Sequence, residues 1–218
     1  MTAKLKKPQP LSVIVLAAGQ GQRMKSDLPK VLQPLAGYPL LAHVVDAASA
    51  LKPELIHIVY GHGGEQVRMA VRAPNLRWVL QGEQLGTGHA VLQAMPGVPD
   101  NALVLVLYGD VPLISAGTLS ELLAFAGPKS IGLLTAKLDD ASGYGRVVRS
   151  ARGQVLRIVE HRDATARELR LREINTGVLA VEGRRLKGWL ARLKNRNALR
   201  EYYLTDIVAM AVKDKCKV

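Results

Sequence analysis

The chain has 218 residues, 48% of them hydrophobic, which is enough to bury a substantial core in one large or two small domains. No apolar stretch approaches the roughly 18 residues that cross a bilayer, and Cys216, the single cysteine, excludes an internal disulfide. The net charge of +12 would suit nucleic acid, but aromatic residues make up only 4% and the arginines alternate with acids. We therefore expect a cytoplasmic protein with no membrane or nucleic-acid partner, and Cys216 as an inert thiol in a charged tail.

Residues 1–10 are predicted to be a disordered lead-in, and residues 11–218 a single domain with halves at about 11–137 and 138–218. Strands and helices alternate through the first half, which predicts an open, mostly parallel α/β sheet with right-handed crossovers and helices on both faces. The predicted strands there are Ser12–Leu16, Leu55–Tyr60, Leu76–Leu80, Ala102–Tyr108 and Ile131–Lys137, and the predicted helices are about Leu40–Leu51, Glu65–Ala73 and Gly86–Met95.

The second half of the chain has a different sequence pattern. A turn at residues 151–153 joins two short strands into a hairpin with polar, arginine-rich outer positions. The predicted elements are the hairpin strands Arg146–Arg149 and Val155–Glu160, a strand at Glu173–Val181, and helices at Arg184–Leu193 and Tyr203–Lys213, the last capped near Thr205 or Asp206.

A glycine-rich loop with several cationic side chains follows the first strand. Gly19 and Gly21 let backbone N–H groups approach an anion, and Arg23 and Lys30 lie close by in the sequence. Met24 breaks both the dinucleotide fingerprint and the Walker A pattern, because its Cβ would obstruct a tight phosphate loop. The loop is interpreted as a polyphosphate site, the alternative being an ordinary strand-to-helix turn with solvated charges.

Three polar segments fall just beyond predicted strand ends, where ligands bind in open α/β sheets: Gly19, Gln81 and Asp110. Asp110 by itself could equally be a turn residue, but opposite a phosphate loop we interpret it as a Mg²⁺ carboxylate. The Gln81 amide could recognise the edge of a pyrimidine, whereas His89 is expected to pack or hydrogen-bond within the fold. His57 and His62 lack the spacing of zinc ligands.

Two motifs, LAAGQGQRM and LPK, match the signature of sugar nucleotidyltransferases. The chain further resembles the uridyltransferase domains of the bacterial bifunctional enzymes that make UDP-N-acetylglucosamine, over about residues 11–212. The matching segments, in order, are LAAGQGQRM, LPKVL, VYGHGG, WVLQGEQLGTGHA, LYGDVPLI, GLLTAKLDD, GYGRV, IVEHRDA, EINTG and EYYLTDI.

The resemblance implies a Rossmann-like fold with a smaller sugar-side β lobe, and Mg²⁺-assisted conversion of UTP and N-acetylglucosamine 1-phosphate to UDP-N-acetylglucosamine and pyrophosphate. It implies that Arg23 and Lys30 neutralise phosphate charge and that Asp110 binds the magnesium ion. The residues it implies for the nucleotide are Leu16, Ala17, Ala18, Gly19, Lys30, Gln81, Gly86 and Thr87, and those for the rest of the substrate are Tyr108, Gly109, Asp110, Gly145, Glu160 and Asn175.

Members of that group carry a second metal ligand, an Asn, beyond the position of Val218, and a β-helix acetyltransferase domain that forms a trimer. We therefore expect a homotrimer only with that domain. Four alternatives stay open: a transferase for another sugar 1-phosphate or base, an inactive fragment that only binds nucleotide-sugar, a P-loop kinase, which Met24 disfavours, and a non-catalytic basic binding module.

Overall fold

The computed structural model describes residues 9–19, 26, 28–61 and 64–218. The strands are β1 (Leu11–Ala17), β2 (Pro34–Leu35), β3 (Tyr38–Pro39), β4 (Leu55–Tyr60), β5 (Leu76–Leu80), β6 (Leu103–Tyr108), β7 (Gly132–Lys137), β8 (Arg146–Arg149), β9 (Val155–Val159) and β10 (Glu173–Glu182). The α-helices are α1 (Leu40–Ser49), α2 (Glu65–Ala70), α3 (Thr87–Ala94), α4 (Ala116–Ala124), α5 (Gly183–Leu190) and α6 (Asp206–Lys213).

Within the described ranges, eight strands form one mixed sheet in the order β5-β4-β1-β6-β10-β8-β9, with β7 paired to β10. The first four run parallel, as expected for apolar runs such as Leu103–Tyr108 that are buried on both faces. The sheet turns antiparallel at β10, which pairs with β6 through its second half and with β8 at Ile174. The fold is therefore an open α/β sheet with a parallel core, as the sequence predicts.

Side chains of β1 alternate between two core layers, one on each face of the sheet. Ile14 and Leu16 pack in the layer that contains α3, α5 and α6, whereas Val13 and Val15 pack in the layer that contains α1, α2 and α4. This is the period of two that a strand imposes on its side chains. Helices on both faces leave the carboxyl ends of the parallel strands open at one edge of the sheet, where the candidate site lies.

The prediction for the second half is confirmed in outline and wrong at three places. Arg146 is not an outer hairpin residue but is buried, because its guanidinium donates to the carbonyl oxygens of Tyr144, Leu169 and Leu171. Cys216 is not in a solvated tail: it is buried in the core, since the backbone at Lys217 pairs with residues 129–131.

The third place is the pair of helices: α5 ends at Leu190 rather than Leu193, and α6 begins at Asp206 rather than Tyr203. The Tyr202 N–H donates to the Leu85 carbonyl, and the Leu204 N–H donates to the Thr87 hydroxyl, so this stretch follows the start of α3 instead of coiling. The Thr205 hydroxyl makes no capping bond to α6 and donates to Glu160 instead.

Two elements were not predicted. Helix α4 begins after Ser115, whose hydroxyl accepts from the Thr118 N–H as an ordinary N-cap. The β2–β3 ribbon turns through Ala36 and Gly37, both with positive φ. Residues 1–8 of the predicted lead-in 1–10 lie outside the described residues. In the described ranges no helix has the length and apolarity needed to cross a bilayer.

Candidate active site

The carboxyl ends of four parallel strands meet at one edge of the sheet. Leu16 pairs with Tyr108, and Tyr60 pairs with both Ala17 and Leu80, so β1, β4, β5 and β6 end side by side. The residues that follow three of these strands are the predicted ones, namely Gly19, Gln81 and Asp110. The predicted convergence of these segments is therefore confirmed.

The start of the glycine-rich loop is held closely by its neighbours. The Leu16 carbonyl accepts from the Gly109 N–H at 2.9 Å, and the Ala18 carbonyl accepts from the Gln84 side-chain amide at 2.7 Å. Gly61 must be a glycine here, because a Cβ on it would lie 2.8 Å from the Ala18 carbonyl oxygen. The backbone from Leu16 to Ala18 is thus fixed by its neighbours, and Gly19, the next residue, is exposed.

Residues 20–25, including Arg23, lie outside the described residues, so the catalytic role assigned to Arg23 stays a prediction.

Lys30 and Asp110, separated by eighty positions in the chain, form an ion pair with 2.5 Å between Nζ and Oδ2. Lys30 begins a short 3-10 helix whose next two residues, Val31 and Leu32, are buried and anchor it. Asp110 follows β6 after the buried Gly109, which lies against Val31 and Leu41. The Lys30 and Asp110 side chains are 42% and 25% exposed, so both charged groups remain accessible to a ligand.

The donor set at this edge fits a cation that is shared with a phosphate. Asp110 supplies one carboxylate, and the described part of the chain contains no cluster of three or more His, Cys, Asp or Glu side chains able to hold a metal ion. Mg²⁺ is commonly bound by one or two carboxylates, with substrate phosphates and water as the other ligands. Asp110 therefore suits Mg²⁺ that arrives with a polyphosphate better than a metal held by protein alone.

Gln81 is buried at the end of β5, and its backbone and side chain are both engaged. Its N–H donates to the Tyr60 carbonyl at 2.8 Å, and its side-chain nitrogen lies 3.2 Å from the Gly86 carbonyl oxygen and 3.1 Å from His89 Nδ1. His89 thus hydrogen-bonds within the fold, as predicted.

Gly86 and Thr87 form the start of α3 and are held by the segment at Tyr202–Leu204. Gly86 has φ +107° and a Cβ on it would lie 2.8 Å from the Tyr202 carbonyl oxygen, so only glycine fits. The same carbonyl accepts from the Gly88 N–H at 2.7 Å. The Gly86 N–H itself donates to no described residue, which leaves it available at the first turn of the helix.

Three of the residues assigned to the sugar side lie together on β10 and beside the ends of β8 and β9. The Asn175 N–H donates to the Gly145 carbonyl at 2.9 Å, and the Asn175 side-chain oxygen accepts from the Gly177 N–H at 3.0 Å. A Cβ on Gly145 would lie 3.3 Å from Glu160 Oε2, so the carboxylate faces this glycine. The structure therefore brings Gly145, Glu160 and Asn175 together.

Tyr108 links the sugar-side residues to Asp110. Burial raises the pKa of its phenol, and the nearby carboxylates of Glu160 and, to a smaller extent, Asp110 raise it further. Burial also raises the pKa of Glu160, an effect that the hydrogen bond from the Thr205 hydroxyl (2.8 Å) opposes. The Tyr108 phenol, with its raised pKa, therefore stays protonated near both carboxylates.

Two residues that support this region are not assigned to the site by the sequence analysis. Thr205 is the described donor to Glu160, and Gly177, with φ +87°, leaves room for the Tyr108 ring. A glycine inside a strand is a sign of close approach, so the N-T-G of β10 carried a usable signal. Nothing local in the sequence connects Thr205 to Glu160, because the two are 45 positions apart.

Comparison with known proteins places the whole chain in context. The protein-family model of the MobA-like NTP transferase domain matches residues 13–186. Relatives named "Bifunctional protein GlmU" occur in Stenotrophomonas maltophilia strain K279a, 59% identical over 207 residues, and in Aromatoleum aromaticum, 57% identical over 208 residues. These alignments cover 94% and 95% of this chain but 45% and 46% of the relatives, so the chain spans about half their length.

Solved structures share the fold at much lower identity. A UDP-glucose pyrophosphorylase complexed with UDP-glucose superposes with a TM-score of 0.77 at 17% identity, covering 95% of this chain and 89% of that one. A putative glucose-1-phosphate thymidylyltransferase from Bacillus anthracis has a TM-score of 0.73 at 20% identity, with 94% and 84% covered. At such identities the likeness establishes the fold alone.

Proposed function

The chain belongs to the family of MobA-like NTP transferase domains, and we propose that it is the uridyltransferase that joins UTP to N-acetylglucosamine 1-phosphate. The products are UDP-N-acetylglucosamine and pyrophosphate. The proposal for the sugar and the base draws on the identity of 57–59% to relatives named bifunctional GlmU, together with the motifs that match the uridyltransferase domains.

The observation that carries the proposal is the meeting of Lys30 and Asp110 at the carboxyl edge of the sheet, where Gly109 is bonded to Leu16 at the end of β1. A lysine and a carboxylate side by side can hold a triphosphate, the lysine directly and the carboxylate through a divalent cation. The ion pair holds the two side chains together at this edge. The pair lies at the edge of the sheet where ligands bind in this class of fold, and this position favours a role in binding over a purely structural one.

The reaction requires no general base. A phosphate oxygen of the sugar phosphate, already ionised near neutral pH, forms a bond to the α-phosphorus of UTP, and the bond from that phosphorus to the bridging oxygen of pyrophosphate breaks. The protein's work is to position the two phosphates in line and to offset their charge. Lys30 is the described residue that performs this task, and Arg23 is predicted to share it.

Asp110 would hold Mg²⁺ together with phosphate oxygens. When bound, the ion supplies Lewis-acid stabilisation of the phosphoryl oxygens. The chain itself holds the Asp110 carboxylate in position, because the hydrogen bond from the Gly109 N–H to the Leu16 carbonyl ties the turn that carries Asp110 to the end of β1.

Recognition of the two ends of the substrate falls to the flanking residues. Gln81, Gly86 and Thr87 would bind the uridine side, where amide and backbone groups can match the edge of a base. Glu160 and Asn175 would bind sugar hydroxyls, because each presents oxygen acceptors beside the buried Gly145. Tyr108, a protonated phenol near the carboxylates of Glu160 and Asp110, is suited to donate a hydrogen bond between the two sides.

The test measures pyrophosphate release by the purified chain across several nucleoside triphosphates and sugar 1-phosphates, with Mg²⁺ or with a chelator. The proposal predicts that UTP with N-acetylglucosamine 1-phosphate is the best pair and that release requires Mg²⁺. Asp110→Asn should lower both the rate and its Mg²⁺ dependence, whereas Asp139→Asn, which removes a carboxylate from a surface pair with Arg172, should not. A different preferred pair, or binding of UDP-N-acetylglucosamine without any turnover, would contradict the proposal.

A further inference from the structure

The imidazole of His89 lies between two side-chain amides. Its Nδ1 is 3.1 Å from the Gln81 amide nitrogen, and its Nε2 is 3.0 Å from the Gln93 amide nitrogen. A neutral imidazole accepts at one nitrogen and donates from the other, so it cannot accept from both amides. One of the two amides must therefore present its oxygen to the ring.

The Gly86 carbonyl decides which amide that is. A carbonyl oxygen can only accept, so the Gln81 atom 3.2 Å from it must be the amide nitrogen. The second N–H of that nitrogen then donates to His89 Nδ1, which leaves the ring proton on Nε2. Gln93 accordingly accepts from His89 Nε2 through its amide oxygen. Exchanging the oxygen and nitrogen of this amide leaves the shape of the side chain unchanged, since the two atoms differ little in size.

This chain of hydrogen bonds determines the chemistry that Gln81 offers to a ligand. Both N–H groups of its amide are used by Gly86 and His89, and none of the described residues donates to its oxygen. Gln81 is only 3% exposed, so its amide cannot rotate freely to exchange the two atoms. The free group is a hydrogen-bond acceptor, on an amide that contacts Gly86, and the N–H of Gly86 itself donates to no described residue.

An acceptor beside a donor matches uracil and opposes cytosine. Uracil carries a donor at N3 next to an acceptor at O4, whereas cytosine carries an acceptor at N3 next to an amino donor. We infer that His89, held by Gln93, is a positioning residue that keeps the Gln81 amide oxygen toward the base and thereby selects uracil over cytosine. The inference rests on the proposed function and adds to it the residues that set the choice of base.

The test compares kcat/KM for UTP and CTP in the wild-type chain and in three variants. His89→Phe keeps a ring but removes both nitrogens, and Gln93→Lys offers only donors to Nε2, so it moves the ring proton to Nδ1, against the Gln81 amide. Leu92→Lys adds the same charge on the same helix at an exposed position that makes no bond to His89. We expect the UTP/CTP ratio to fall at least about tenfold in His89→Phe and Gln93→Lys and to change less than about twofold in Leu92→Lys.

A merely structural role for His89 would lower turnover with both nucleotides and leave their ratio unchanged, and that result would overturn the inference. A second measurement does not depend on activity: a long-range ¹H–¹⁵N NMR spectrum identifies which imidazole nitrogen carries the proton. The inference predicts the proton on Nε2 in the wild-type chain and on Nδ1 in Gln93→Lys, and a wild-type ring protonated on Nδ1 would overturn it. Absence of wild-type turnover with UTP would instead contradict the proposed function.

Discussion

Replacement of Gly177 by alanine tests whether the Tyr108 ring is seated as described. At φ +87° an alanine pays roughly 1–2 kcal/mol of left-handed backbone strain. Its Cβ would also overlap the Tyr108 ring, with two further ring atoms at 2.9 Å, and overpacking of this kind costs about 1–3 kcal/mol. The matched control is Gly153→Ala, where φ is +77° but no atom lies within 4 Å of the added Cβ, so this variant has the backbone strain without the clash.

The difference between the two variants isolates the clash with Tyr108. We expect Gly177→Ala to lower the free energy of unfolding by about 1–3 kcal/mol more than Gly153→Ala, measured by equilibrium urea denaturation. Because Tyr108 must move to admit the methyl group, Gly177→Ala should also raise KM for the sugar phosphate, and Gly153→Ala should not. Equal destabilisation by the two substitutions would show that Tyr108 does not pack on Gly177, and the described sugar side would be wrong.

Three further outcomes follow from the charges of the structure. Lys30→Met should reduce turnover about 10²–10³-fold with at most about 1 kcal/mol of destabilisation. The control Lys187→Met, which breaks the 2.6 Å surface ion pair with Asp100, should leave turnover within about twofold. Burial lowers the pKa of His57 from 6.5 to about 4, so between these pH values the unfolded chain binds a proton that the folded chain does not. The stability of the wild-type chain relative to His57→Met should therefore fall as the pH drops from 6.5 to about 4, and a constant difference in urea midpoint over this range would refute the prediction. Glu160 has a raised pKa, so as the pH is lowered, KM for the sugar phosphate should begin to increase at a pH higher than that at which an ordinary carboxyl group is protonated. Thr205→Val removes the hydrogen bond that lowers this pKa and should move the increase to still higher pH; an unchanged pH profile would contradict this expectation.

The sequence predicts the parts of this molecule that depend on continuous local patterns. The run at Leu103–Tyr108 is apolar at every position, which identifies a strand buried on both faces, and β4 and β5 are bounded as predicted. The positions just after these strands then identify candidate site residues, since open α/β sheets bind ligands there. Helix α4 could have been predicted too, from the N-cap serine at position 115.

The features that were missed are set by contacts between distant segments. Nothing near Tyr203 in the sequence shows that this stretch is hydrogen-bonded to Leu85 and Thr87. A prediction from the sequence therefore begins α6 three residues before its actual start at Asp206. Arg146 has the polarity of an outer hairpin residue, and only the folded carbonyl oxygens around it explain its burial. The orientation of the Gln81 amide is likewise decided by Gly86 and His89, through bonds that no spacing rule describes.

Transfer of label from UTP tests the central claim most directly. The chain is incubated with N-acetylglucosamine 1-phosphate, Mg²⁺ and UTP that carries radioactive phosphate at either the α or the γ position. Attack on the α-phosphorus predicts that α label appears in UDP-N-acetylglucosamine and that γ label appears only in pyrophosphate. Label from the γ position in a sugar product, or formation of UDP and free phosphate, would indicate attack on the γ-phosphorus and would contradict the account.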